Sequence, residues 1–331
     1  MSVYTPDPAD LSTQSVAWAC GKCREVVSAV GTVIVGKDEQ LALILTTLAA
    51  GGHLLLEDVP GVAKTLAAQA TAQALGLDFR RIQFVPDLLP GDIMGSFIYD
   101  SRADSFRFRR GPIFTNLILA DEINRGTPKT QSALLEAMQE QQVTVEGQSF
   151  ALDKPFMVIA TQNPLEFEGT YALPEAQIDR FLARLSMGYP SPEAEREMLA
   201  RRQSRQADAV TLSPVLSKQD FLEIQRAIET IHVNPDIHSY IVQIVSKTRT
   251  DRRVQLGASP RGSLALFKLS RSRAMMQGRD FVTPDDVKAV AVPALAHRVL
   301  LRPELWAERV SGETIVQNAL EEVPVPKAEW R

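Results

Sequence analysis

One stretch constrains this chain more than any other: Leu54-Leu55-Leu56-Glu57-Asp58-Val59-Pro60-Gly61-Val62-Ala63-Lys64-Thr65. A short apolar run, a tight loop and then Lys-Thr predict a buried strand feeding a helix over residues 66–75. The first N–H groups of a helix have no intrahelical acceptor, and the helix dipole favours negative charge in front of them. In such a loop Lys64 reaches the outer phosphates of a nucleotide as a point charge, and the Thr65 hydroxyl ligates Mg²⁺. The loop departs from the pattern G-x-x-x-x-G-K-[ST] at both outer glycine positions, which are Asp58 and Ala63. That leaves Gly61 to supply the backbone freedom. Taken alone, the stretch is also compatible with an ordinary strand-to-helix turn carrying an exposed lysine.

A chain of 331 residues is long for one domain and predicts two. After a polar, Pro-rich start to about residue 12, helices are expected over 16–30 and 38–50, with Val33-Ile34-Val35-Gly36 between them. Beyond the loop, strands are expected over 79–85, 113–120, 156–161 and 184–189. Residues 96–109 alternate as a hairpin, and Val143 to Gln148 predicts a second one with Gly147 at its turn. Thr127-Pro128 makes a good N-cap and first helical residue for a helix carrying Leu134, Leu135 and Met138. The composition changes at Pro190-Ser191-Pro192, after which helix signals dominate. Ser217-x-x-Asp220 and Thr283-x-x-Asp286 read as capping boxes, and Ser259-Pro260 opens a further helix. The expected organisation is an N-terminal segment and helix (1–30), an α/β domain (31–190) and a helical domain (191–331).

A hydrophobic fraction of 45% with 23% charged residues belongs to a globular protein. No uncharged apolar run reaches the length of a membrane span, and the first residues lack a signal-peptide pattern, so the expected compartment is the cytoplasm. The net charge of −4, from 36 basic and 40 acidic residues, argues against a surface built to hold a polyanion. Nucleic acid is therefore not an expected partner. A local patch stays open, because Arg107, Arg109 and Arg110 interleave with Phe106 and Phe108 and could stack bases. A hairpin with one apolar and one solvated face explains the same alternation. Cys20 and Cys23 form a lone C-x-x-C with no histidine at ligand spacing, which reads as two thiols on one helix face in a reducing compartment rather than a metal or redox site.

The expected strand over 113–120 ends in Asp121-Glu122. Nucleotide hydrolysis needs a metal, an oriented water and positive charge where the transition state becomes negative. Asp121 suits the metal and Glu122 suits polarisation of the water. In an open parallel sheet ligands gather at the strand ends, where this pair and the loop can converge. An isolated Asp-Glu would otherwise be simply solvated.

Four further segments complete the pattern. They are Leu119-Ala120-Asp121-Glu122-Ile123-Asn124-Arg125, Lys129-Thr130-Gln131-Ser132-Ala133-Leu134-Leu135-Glu136-Ala137-Met138, Ala160-Thr161-Gln162-Asn163-Pro164, and Glu168-Gly169-Thr170-Tyr171 running on through Leu173-Pro174-Glu175-Ala176-Gln177 to Asp179-Arg180-Phe181. In type and order, over about residues 30–310, they resemble the MoxR family of AAA+ ATPases. The resemblance implies an α/β P-loop core with a parallel five-stranded sheet flanked by helices and two hairpin inserts, plus an all-α lid. It also implies ATP and Mg²⁺ as ligands and a ring, often a hexamer, with a chaperone-like role. Such rings remodel or activate a client protein complex, metal- or cofactor-dependent enzymes included, often with a von Willebrand factor A domain partner.

Residue by residue, the resemblance implies that Lys64 and Thr65 are the Walker A pair, within a nucleotide loop of Asp58, Val59, Pro60, Gly61, Val62, Ala63 and Leu66. Asp121 and Glu122 match the Walker B pair, with Thr65 and Asp121 at the metal. Asn163 matches the water-positioning sensor, Arg180 the arginine finger offered to a neighbouring subunit, and Arg261 the second sensor on the lid. Val35 and Gly36 match the segment that lies against adenine. Read without the resemblance, Arg180 is a surface arginine paired with Asp179 or Glu175, and Arg201-Arg202-Gln203-Ser204-Arg205 is the exposed side of a helix. Two other functions stay open: a nucleic-acid motor of the same superfamily, and an ATP-binding scaffold with negligible turnover.

Overall fold

Short strands that are apolar at every position must be covered on both faces, and this requirement sets the architecture. The structure, a computed structural model, describes residues 13–164, 169–207, 210–304 and 310–327. The Pro-rich start and Glu168 lie outside the described residues. Its contacts form two compact units, Val26–Lys218 and Gln219–Arg331 together with Met1–Glu25.

The chain runs through α1 (Thr13–Gly31), α2 (Asp38–Ala49), β1 (Leu54–Glu57), α3 (Lys64–Ala74), β2 (Phe79–Gln83) and α4 (Pro90–Met94). A hairpin of β3 (Gly95–Asp100) and β4 (Ser105–Arg110) precedes β5 (Leu117–Asp121) and α5 (Pro128–Glu140). A second hairpin, β6 (Gln142–Val145) and β7 (Gln148–Ala151), leads into β8 (Met157–Gln162), α6 (Glu175–Ile178), β9 (Ala183–Leu185) and α7 (Pro192–Arg205). Five of these strands form one sheet in the order β2-β5-β8-β1-β9, and every neighbouring pair is parallel. Leu55, Ile118, Ala120, Val158 and Ala160 share one core with Leu134, Leu135 and Met138 of α5. Leu54, Leu56, Leu117 and Leu119 alternate with them and are equally buried, turned to the other face, where α2 and α3 contact the strands. This is the α/β core with a five-stranded parallel sheet that the resemblance implies.

Four strands differ from the sequence expectation in informative ways. Residues 113–116 do not extend β5, because the Ile113 amide donates to Ile93 O at 3.1 Å and closes the base of the first hairpin. β9 stops at Leu185, and the two donors that follow it, Ser186 Oγ and Gly188 N, turn to the Asp58 carboxylate. In the helical unit, β10 (Val254–Leu256) and β11 (Leu300–Leu301) form an antiparallel pair too short to register as alternation. The division between units also falls later than the composition change at 190. Ala194 abuts Gly36, Arg201 Nη1 donates to Thr32 O at 2.6 Å, and Val215 N donates to Ala74 O at 2.8 Å.

Local signals place the helix starts. Thr127, Ser191 and Ser259 each accept a backbone N–H of the first turn, and each is followed by proline. In the helical unit α8 (Lys218–Glu229), α9 (Pro235–Thr250), α10 (Pro260–Met276), α11 (Pro284–Leu295) and α12 (Gly312–Glu322) bury Phe221, Tyr240, Leu266 and Val290. Asp286 caps α11 by accepting from the Thr283 amide and hydroxyl, both at 2.8 Å, and from Arg279. Cys20 Sγ donates to Met276 O at 3.2 Å, and burial first, then the neighbouring Cys20, pushes the Cys23 thiol up to about 12. Among the described residues no group of three or more His, Cys, Asp or Glu could hold a metal, and no helix is long and apolar enough to cross a membrane. The two inserted hairpins meet through aromatics: Phe108 faces Phe97 and stacks on Phe150 at 4.1 Å.

Candidate functional site

The strand order brings β1, β8 and β5 side by side, so their carboxyl ends open onto one place. The registers Glu57↔Gln162, Leu56↔Thr161 and Gln83↔Asp121 align these ends, and the Asp58 amide continues the ladder by donating to Gln162 O at 3.1 Å. Beyond Asp58 the chain turns through Gly61 (φ +85°) and Ala63 (φ 59°, ψ 23°) and enters α3 at Lys64. Ala63 adopts the left-handed conformation for which glycine is the usual choice, so the loop geometry survives the departure in sequence. The result is a concave run of N–H groups at a helix start, suited to a phosphate. Lys64 Nζ folds over the loop and donates to Asp58 O at 2.6 Å and Val59 O at 3.3 Å.

Asp58, the other departure, has a different role. Its buried carboxylate accepts from Val59 N (3.0 Å), Ser186 Oγ (3.0 Å) and Gly188 N (2.7 Å), tying the start of the loop to the chain leaving β9. Val62 is buried and anchors the middle of the loop.

Opposite the loop stands the end of β5. Asp121 is buried, with Oδ1 accepting from Thr161 Oγ1 at 2.6 Å. Its Oδ2 lies 3.3 Å from Thr65 Oγ1 and accepts from Arg81 Nε (3.0 Å) and Nη2 (2.7 Å). Glu122 sits in the left-handed region (φ 53°) with its amide donating to Thr161 Oγ1 at 2.8 Å. This turn directs its carboxylate to Gln83 Nε2 (2.8 Å) and Arg125 Nη1 (3.1 Å). Thr161 thus fixes both acidic residues through one hydroxyl, which accepts from one and donates to the other.

A cleft of about 340 Å³ is lined by Pro60, Gly61, Ala63, Lys64, Thr65, Leu66, Asp121, Glu122, Thr161 and Asn163. Nine of these ten are residues singled out from sequence; Thr161 is the addition. It lies inside the motif quoted around Asn163, but only its hydrogen bonds reveal its part. Thr65 and Asp121 present two oxygens to one point, a hard donor set that fits Mg²⁺. Arg81 and Gln83 were not anticipated either. Their signal lies in the pairing of β2 with β5, which no local pattern announces.

Other expected site residues lie elsewhere. Val35 and Gly36 occupy the turn between α1 and α2, where a Cβ on Gly36 would meet Ala194 at 2.7 Å. Arg180 lies with Ser132, Leu135, Glu136, Glu140 and Gln177 beside a second cleft. Its Nη1 donates to Leu135 O at 2.6 Å, whereas its buried Nε has no partner among the described residues. Arg261 belongs to the helical unit, where its amide donates to Ser259 Oγ at 3.1 Å in the first turn of α10.

Comparison with known proteins agrees with this geometry. Residues 53–183 match the model of the ATPase family associated with various cellular activities (AAA), and residues 246–319 match the AAA lid domain. YeaC of Bacillus subtilis, named an uncharacterized protein, is 50% identical, with 91% of this chain and 94% of that protein covered. Chaperone MoxR1 of Mycobacterium tuberculosis is 43% identical, over 89% of this chain and 80% of that one. A crystal structure of a candidate ATPase from Cytophaga hutchinsonii superposes with a TM-score of 0.88 at 41% identity, covering 95% of this chain and 98% of that one.

Proposed function

The chain belongs to the MoxR family of AAA+ ATPases, and from that premise we propose that it is a Mg²⁺-dependent ATP hydrolase that remodels or activates a partner protein complex. The observation that carries the reading is the convergence, in one cleft, of Lys64 and Thr65 with Asp121, Glu122 and Asn163. The loop N–H groups and Lys64 bind the phosphates, and Thr65 and Asp121 hold the metal. When bound there, Mg²⁺ would supply positive charge to the phosphate oxygens. Glu122 takes the proton of the attacking water, and the Asn163 amide, able to donate and accept at once, positions that water. Val35 and Gly36 lie against the adenine. Arg261 contacts the γ-phosphate from the lid, since an anion in front of α10 offsets the cost of a cation in its first turn.

The ring is of hexameric type, acts in the cytoplasm, and carries Arg180 into the site of the adjacent subunit. A von Willebrand factor A domain partner and a protein client complete the proposal, metal or cofactor insertion being one such activation. The chaperone name of the Mycobacterium tuberculosis relative supports this role. Phosphate release by the purified chain tests the reading directly. Glu122→Gln should retain ATP binding and lose turnover by about 100-fold or more, because an amide cannot accept the proton. Wild-type turnover in that variant removes Glu122 as the base. ATP binding without turnover in the wild-type chain replaces the hydrolase with a nucleotide-dependent scaffold.

A further inference from the structure

The Asp121 oxygen that faces Thr65 already has a cation on it. Arg81 stands on β2, opposite Leu119 of β5, and its guanidinium donates through Nε and Nη2 to Asp121 Oδ2. Thr161 occupies the other oxygen, so Oδ2 is the atom a metal would share with Thr65. Nη2 also donates to Gln83 Oε1 at 2.6 Å, which steadies the guanidinium in this position. The two partners differ in burial. The Arg81 side chain is 50% exposed and can turn out to water at little cost, while that of Asp121 is 11% exposed and pays for any time spent unpaired.

We propose that Arg81 is a built-in counter-cation for Asp121, one that a divalent metal must displace, and that it thereby sets the metal concentration at which nucleotide is held. The inference rests on the nucleotide-site reading above. Arg81 is a positioning residue: it balances the buried carboxylate while the metal is away and gives up Oδ2 when the metal arrives. Because it stabilises the metal-free state, linkage requires that removing it lower the metal needed to reach the bound state. A purely structural ion pair would lower stability on removal and leave the metal requirement where it was.

The test titrates free Mg²⁺ against binding of a fluorescent ADP analogue to the full chain, in the wild type, Arg81→Gln and Arg81→Lys. In Arg81→Gln the Mg²⁺ midpoint should fall about three- to fivefold, the scale of a half-exposed ion pair. Arg81→Lys keeps the charge on a shorter, single-point donor. It should move the midpoint the same way by a smaller step, and it carries the test if the glutamine variant does not fold. A midpoint that stays or rises in the variants, with the wild type responsive to metal, overturns the role of Arg81 alone. Nucleotide binding indifferent to Mg²⁺ in the wild type overturns both this inference and the metal-dependent site.

Discussion

The cleft at the strand ends and the face beside α5 and α6 treat buried polarity in opposite ways. In the cleft, Asp121 is surrounded by Thr161, Thr65 and Arg81, and Glu122 is held by Gln83 and Arg125, all from the same chain. On the other face, Arg180 Nε and Gln177 Oε1 are buried with no partner among the described residues, beside Glu136 and Glu140. Leaving such atoms unpaired costs about 1–3 kcal/mol each, so a satisfied acidic centre and an unsatisfied arginine on one unit are not equivalent halves of a surface. The contrast is that both acidic side chains of the cleft find partners within the chain, while Arg180 Nε and Gln177 Oε1 find none among the described residues.

The strongest way to break that contrast is to separate the two faces onto different molecules. Arg180→Ala should keep nucleotide affinity and lose turnover by about 1,000-fold, the scale of a trans-acting arginine. Mixed in equal amounts with Lys64→Ala, it should recover up to about a quarter of wild-type turnover, since roughly one interface in four pairs an intact Arg180 with an intact Lys64. Mixed assembly without recovery would confine Arg180 to its own chain.

Smaller effects sharpen the account of the cleft, and the two departures in the phosphate loop should respond with opposite signs. Asp58→Gly restores the motif on paper yet strands Gly188 N, Ser186 Oγ and Val59 N. It should lower stability by about 1–3 kcal/mol in chemical denaturation. A neutral result would mean that the three hydrogen bonds from Val59, Ser186 and Gly188 contribute nothing net. Ala63→Gly, at a position with φ 59°, removes a left-handed strain of about 1–2 kcal/mol and returns part of it as unfolded-chain entropy. A net gain of about 0.5–1 kcal/mol should appear as a small rise in melting temperature. A loss would show that the Ala63 methyl group makes contacts worth more than the strain.

Much of the fold was legible in the chain because its signals act over a few residues. The all-apolar strands announced a doubly covered parallel sheet. Thr127-Pro128, Ser259-Pro260 and the Thr283–Asp286 box marked helix starts that the structure reproduces. Lys64-Thr65, Asp121-Glu122 and Asn163, all legible as motifs, supply half of the residues that line the cleft. The expected strand over 184–189 runs only through Ala183–Leu185, because a hydrogen-bond acceptor far away in sequence competed for its backbone.

By itself, then, the amino-acid sequence determined most of the elements, the family and the chemical groups that gather at the strand ends. Tertiary structure alone decided what those groups touch. Ser186 and Gly188 reach Asp58 across 128 and 130 residues. Arg81 and Gln83 meet Asp121 and Glu122 only because β2 lies beside β5 in the sheet order. Propensity, capping and turn chemistry are short-ranged and can be read along a chain. The partner of a buried charge is set by which strands become neighbours, and that is a property of the whole packed sheet.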